Sequence, residues 1–204
     1  MEQKRNFIDK FLDIAPGGFY GILSVIIRML GDFIAFLFFP GYSIINNMVS
    51  DLGVGPGGIF FSLGLIISGI ISIPFYVALA RSLKSEEVNE SMRKTGLIFF
   101  YISDITYIMI AFFPSVEEIY LIYLAHGLFA IISWLTAIIY IIIFSRLMKK
   151  DGKFSALPSY SGYILIIVMI IFLCTWLPLI EWIMTFTFII WLVIIASYMI
   201  YHNL

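Results

Sequence analysis

Charge is what this sequence is shortest of. Asp, Glu, Lys and Arg make up 12% of its 204 residues, against roughly 25% in a soluble domain. A net charge of −1 by itself says nothing of a nucleic-acid or acidic partner, and no nucleic-acid partner is expected. Cysteine is nearly missing too, and Cys174 alone permits neither an internal disulfide nor a cysteine metal cluster. A single histidine in the outer half, His126, with few carboxylates around it, gives no zinc-ligand spacing. The GxSxG elbow of serine hydrolases and the P-loop are missing, and the one GxGxxG spelling does not read as a phosphate cradle, so no cofactor is expected. "GVGPGG", Gly53 to Gly58, has the glycines but also Pro56, and reads as a tight entry loop ahead of an apolar run.

What is present is apolar. The chain is 62% hydrophobic and 18% aromatic, with a mean hydropathy of +1.05. A spanning helix needs about 20 mostly apolar residues. Six runs qualify, at about 19–40, 58–80, 95–113, 119–145, 160–180 and 182–202. Lipid leaves no water for unpaired backbone groups, and none of these runs alternates apolar with polar as a barrel strand would. The expected fold is therefore all-α, a polytopic membrane protein with a six-transmembrane-helix bundle over residues 19–204. Lys4, Arg5 and Lys10 precede the first span; Arg81, Lys84, Arg93 and Lys94 follow the second; Arg146, Lys149, Lys150 and Lys153 follow the fourth. The opposite loops carry Asp51, Glu117, Glu118 and Glu181. The positive-inside rule then puts both termini in the cytoplasm and the 41–57 loop outside. The isoleucine-rich, cysteine-poor composition is compatible with a prokaryotic cell membrane.

Residues 1–18 read as an amphipathic interfacial segment, with Phe7, Ile8, Phe11 and Leu12 at helical spacing among charged residues and "APGG" as its end. It serves as an anchor or as a docking element for a partner. No small-residue cleavage pattern follows, so the first span is expected to be retained. The outward-running spans each end near a proline, Pro40, Pro114 and Pro178, which marks three stops or a duplicated hairpin. The second span carries small residues four apart, Gly58/Ser62 and Gly64/Ser68/Ser72, a pattern that lets backbones approach closely in lipid. Its expected place is the centre of the bundle; a groove for a lipid tail would use the same face.

Four ionisable side chains fall inside the spans: Arg28, Asp32, Asp104 and His126. Each charge there costs about 2.5–3.5 kcal/mol on insertion scales, so each needs a partner or a wet cavity. Arg28 and Asp32 share one helix face and can neutralise each other; alternatively Arg28 holds an anionic group that Asp32 or Asp104 orients. Asp104 lies near mid-membrane, about a turn from Tyr101 and Tyr107. It accepts their hydroxyls, pairs with Arg28, or stays protonated in its desolvated position.

"GYSIINNMVSDLGVGPGG" is too long for a simple connection, and Ile44, Ile45, Met48 and Val49 suit no open surface. It is expected to fold back over the bundle mouth. Ser50 or Asp51 then caps a helix, or Asn47, Ser50 and Asp51 form a polar lid over a pocket lined by Asp104 and His126. With Pro40, Gly41 and Tyr42, the Asn47–Ser50–Asp51–Leu52–Gly53 loop, the Phe113–Pro114 stop and His126, the chain resembles the uncharacterised prokaryotic six-helix membrane family called domain of unknown function 998. The resemblance spans about residues 30 to 145, and the last two spans match in hydropathy alone. Ser50, Asp51, Gly53, Pro56 and Phe60 also look like the outer-loop pattern of the Frag/DRAM/Sfk membrane family. That family tends to have paired prolines where "GVGPGG" stands. The second resemblance implies a link to lipid-anchor remodelling, membrane-lipid organisation and autophagy.

Three functions follow as expectations. The first is binding or organising a membrane lipid or other amphiphile, with its headgroup among Asn47, Ser50, Asp51, Asp104, His126, Arg28 and Asp32. The second is a membrane enzyme acting on a lipid headgroup, with His126 as base and Asp51 or Asp104 orienting it. The third is a small proton-linked transporter using Asp104.

Overall fold

A computed structural model describes residues 7–85 and 88–204. Lys4 and Arg5, counted above with the basic residues ahead of the first span, lie outside the described residues. Among those described, the chain contains α-helices, one 3-10 helix and no strand. The elements are α1 (Phe7–Ile14), α2 (Gly17–Leu37), the 3-10 helix Val49–Gly53, α3 (Gly58–Ser82), α4 (Glu90–Ile110), α5 (Tyr120–Asp151), α6 (Ala156–Thr175) and α7 (Pro178–Tyr201).

Five of these helices, α2, α3, α5, α6 and α7, are long and apolar enough to cross a membrane. The chain is a multi-pass membrane protein. α4 matches α2 at 21 residues, but Glu90, Arg93, Lys94 and Asp104 lower its hydropathy and leave it outside that set. Large apolar side chains cover the outer surface: Leu121 is 75% exposed and Ile59 62%. In water such a surface would be a liability; in lipid it is solvated.

Helix ends differ from the sequence expectation where local chemistry decides them. α4 begins at Glu90 rather than 95, because Asn89 Oδ1 accepts the Met92 N–H at 3.0 Å and caps it. α5 continues to Asp151 rather than 145, with Lys149 and Lys150 beside its carbonyl end and Gly152 closing it in the left-handed conformation at φ 69°. α6 stops at Thr175 rather than 180, with Trp176 left-handed at φ 51°. Pro178 does not end a helix. It opens α7 at the first helical position, where its missing N–H costs nothing. That shift moves Glu181 from a supposed connection into the first turn of α7.

Each of α2 to α7 packs on the next in chain order, and α7 returns to α2, closing a ring. The tightest crossing is α2 on α3. A Cβ on Gly31 would lie 2.7 Å from the Phe60 carbonyl and 2.8 Å from Gly64 Cα, both backbone atoms that cannot swing away. The small residues of α3 therefore serve contact on two sides: Gly64 faces α2, while Gly69 and Ser72 meet Ile108 and Asp104 of α4. α1 lies against the basic end of the ring. Its Asp9 pairs with Arg81 at 2.7 Å, and the Tyr20 hydroxyl donates to the Phe11 carbonyl.

Inside the ring are two apolar clusters. The larger fills the basic end around Phe75, Tyr76, Phe144 and Trp191. The smaller lies under the 3-10 helix and contains Leu52, Phe61, Leu65, Ile110 and Trp182. Between them is a polar layer.

Candidate binding cavity

A cavity of about 180 Å³ occupies that layer, reached by side chains of α2 to α7 and by the 3-10 helix. Arg28 enters from α2. Its guanidinium pairs with Asp32 one turn along at 3.0 Å and lies 4.6 Å from the Phe61 ring centre and 5.8 Å from that of Tyr107. Nη1 is buried with no hydrogen-bond partner. Asp32 is buried beside it and does not line the cavity.

Asp104 comes from α4. Ser72 Oγ donates to its Oδ1 at 3.2 Å, and no cation among the described residues pairs with it. One turn nearer the loop end, the hydroxyls of Ser68 and Tyr107 meet at 3.3 Å. α4 and α5 are clasped at the same level: Ser103 Oγ donates to the Ser133 carbonyl at 2.9 Å, and Ser133 Oγ to the Ser103 carbonyl at 3.1 Å. The Tyr76 and Tyr140 hydroxyls, 3.2 Å apart, form the floor.

The roof draws on four separate stretches of chain. Tyr42 donates its hydroxyl to the Met48 carbonyl at 2.7 Å and accepts the Trp182 indole N–H at 3.0 Å, which fixes the loop to α7. Burial pushes that hydroxyl well above the usual phenol range, so it stays a donor. Glu181 Oε2 accepts the Val49 N–H at 2.7 Å. Ser115 Oγ reaches the Ser50 carbonyl at 3.4 Å. His126 Nδ1 lies 2.7 Å from the Phe113 carbonyl and so donates its proton to it.

Of the residues singled out from the sequence, Arg28, Ser50, Asp104 and His126 line this one cavity. Asn47 and Asp51 do not. Asp51 Oδ2 accepts the Met48 N–H at 2.9 Å and the Asn47 amide at 3.4 Å, while Asn47 Oδ1 takes the Ser43 N–H at 3.1 Å. These side chains shape the loop itself, as helix-cap residues do. The hydrogen bond that orients His126 is accepted by a backbone carbonyl and not by Asp51 or Asp104. Glu181 and Tyr107 line the cavity and were not proposed for the site. The signal for Glu181 was a lone charge in "LPLIEWI", placed inside a helix once proline is read as a start. Among the described residues, no three His, Cys, Asp or Glu side chains gather to hold a metal.

Apolar helices in a closed ring around a small chamber lined by polar and apolar side chains define a class: an all-helical, multi-pass membrane protein with an internal cavity under a folded-back loop. Within that class, residues 22–198 match the family described as "Protein of unknown function (DUF998)", and the chain belongs to it. The match runs past residue 145 and takes in α6 and most of α7, further than hydropathy alone suggested. No curated protein and no solved structure matches the chain.

Proposed function

We propose that this protein binds or organises a lipid or other amphiphile, holding its polar group in the cavity while its apolar part stays among the helices. The carrying observation is the size of the chamber relative to its chemistry. At about 180 Å³ it falls below the ~300–1,000 Å³ typical of pockets that enclose a drug-sized ligand. It has room for a headgroup. Its walls carry the Arg28 side chain and a carboxylate without a cation among the described residues, inside a bundle whose outer surface is solvated by lipid. The Frag/DRAM/Sfk likeness of Ser50, Asp51, Gly53, Pro56 and Phe60 favours a lipid role as well.

In this reading α4 is the sixth span, its charged first turns lying at the membrane surface. Arg81, Lys84, Arg93, Lys94, Arg146, Lys149, Lys150 and Lys153 belong to the inner side, both termini are cytoplasmic, and α1 rests on the inner leaflet of the cell membrane. The cavity then opens outward under the 41–57 loop. Asp104, unpaired near mid-membrane, favours one second reading, a small proton-linked transporter; uptake driven by a proton gradient and lost in Asp104→Asn would support it.

The test is native mass spectrometry of protein purified in mild detergent. Wild type is expected to retain a lipid adduct that a folded Ala130→Leu variant loses, because Ala130 is buried in the cavity wall and the larger side chain fills the space. The same adduct on both proteins would place lipid on the outer surface and refute the reading.

A further inference from the structure

The cavity contains two groups of opposite charge with unused bonding capacity, at different depths. Arg28 uses one nitrogen on Asp32 and leaves Nη1 buried without a partner. Asp104 receives the Ser72 hydroxyl and no cation among the described residues. Their relative depth follows from α3 and α4. Tyr107, whose ring lies 5.8 Å from the guanidinium, meets Ser68, while Asp104 meets Ser72. Ser68 and Ser72 are four residues apart, just over one helical turn or about 6 Å along the axis. Arg28 is therefore about one turn nearer the roof than Asp104.

The sign of the whole site matters as well. Asp32 already balances Arg28, and Glu181 adds a second carboxylate near the roof. A ligand that is only an anion would bring further negative charge beside two carboxylates with no cation of their own. A ligand that is only a cation would leave Arg28 Nη1 unsatisfied. A group bearing both charges answers each defect.

We propose that the cavity selects a zwitterion: its phosphate or carboxylate takes the Arg28 guanidinium, and its ammonium sits at Asp104, one turn deeper. Ethanolamine phosphate, an anion and an ammonium joined by a two-carbon bridge, is a group of this kind. This deepens the amphiphile-binding reading and rests on it. The same chemistry exists as a lipid headgroup and as a free solute, and the experiment separates them.

Full-length protein in an uncharged, sugar-headed detergent is titrated calorimetrically with dihexanoyl phosphatidylethanolamine, dihexanoyl phosphatidylglycerol, glycerophosphoethanolamine and glycerophosphate. The ethanolamine compounds are expected to bind at least about tenfold tighter than their anionic counterparts, and Asp104→Asn is expected to erase that preference. Equal binding of the two lipids would overturn the zwitterion assignment while leaving the amphiphile reading in place. Glycerophosphoethanolamine binding as tightly as the lipid would support the zwitterion and overturn the amphiphile. No binding of any probe would overturn both. Should Asp104→Asn not fold, the four-probe comparison on wild type still decides.

Discussion

Glu181 is the residue on which the roof of the cavity depends, and its removal has a calculable cost. Its Oε2 is 2.7 Å from the N–H of Val49, and both residues are buried, at 5% and 3% exposure. In Glu181→Ala that N–H loses its acceptor, and water reaches it only if the loop lifts. An orphaned buried donor costs about 1–3 kcal/mol, and that is the expected destabilisation. At about 2–4 °C per kcal/mol for a chain of this size, Tm falls by about 2–12 °C. Glu181→Gln keeps an oxygen in place and is expected to cost less than about 1 kcal/mol. Thermal unfolding in detergent, followed by tryptophan fluorescence, measures the difference; Trp182 is itself part of the roof. Amide exchange at Val49 supplies the local readout, with protection lost in the alanine variant and kept in the glutamine variant. Equal destabilisation by both substitutions, or unchanged protection at Val49 in Glu181→Ala, would refute the reasoning.

Asp32→Ala leaves the Arg28 guanidinium buried without its partner and is expected to cost about 3–5 kcal/mol, whereas the joint replacement Arg28→Met, Asp32→Leu costs far less; unfolding midpoints in detergent rank the two. Gly31→Leu drives a side chain into the backbone of α3 and is expected to prevent recovery of folded protein by size exclusion. Gly127→Ala, whose Cβ meets nothing within 4 Å, gains about 0.5–1 kcal/mol from reduced chain entropy. Asp51→Ala removes the acceptor of the Met48 N–H and costs about 1 kcal/mol without changing the lipid retained in mass spectrometry. Loss of that lipid would show that Asp51 acts in the site itself.

Much of the helical organisation was legible because lipid imposes a length and a composition on each span, so apolar runs announce themselves. The ends were less so. They depend on single groups such as Asn89, Gly152 and Pro178, whose effect is a matter of backbone angle rather than hydropathy. The polar layer was legible where a charge interrupts an apolar run, as at Arg28, Asp104 and His126. Glu181 was hidden because proline reads equally well as a stop and as a start. Asn47 and Asp51 drew attention as polar residues in an apolar chain, yet loop backbone needs local acceptors, and the hydrogen bonds of the 3-10 segment account for both side chains. Sequence shows that a polar group is present; only the fold shows which neighbour has already claimed it.

The ring is built in chain order, and that has a consequence for how the protein is made. α2 enters the bilayer early, with Arg28 and Asp32 already joined along its own surface, so it partitions nearly as a neutral helix. Asp104 and Glu181 have no such neighbour on their helices, and each would be costly to leave alone in lipid. Their hydrogen-bond donors, Ser72 and the Val49 amide, precede them in the chain. Each carboxylate therefore emerges from the ribosome after the group that will donate to it. The order of synthesis is the order in which the polar layer is assembled.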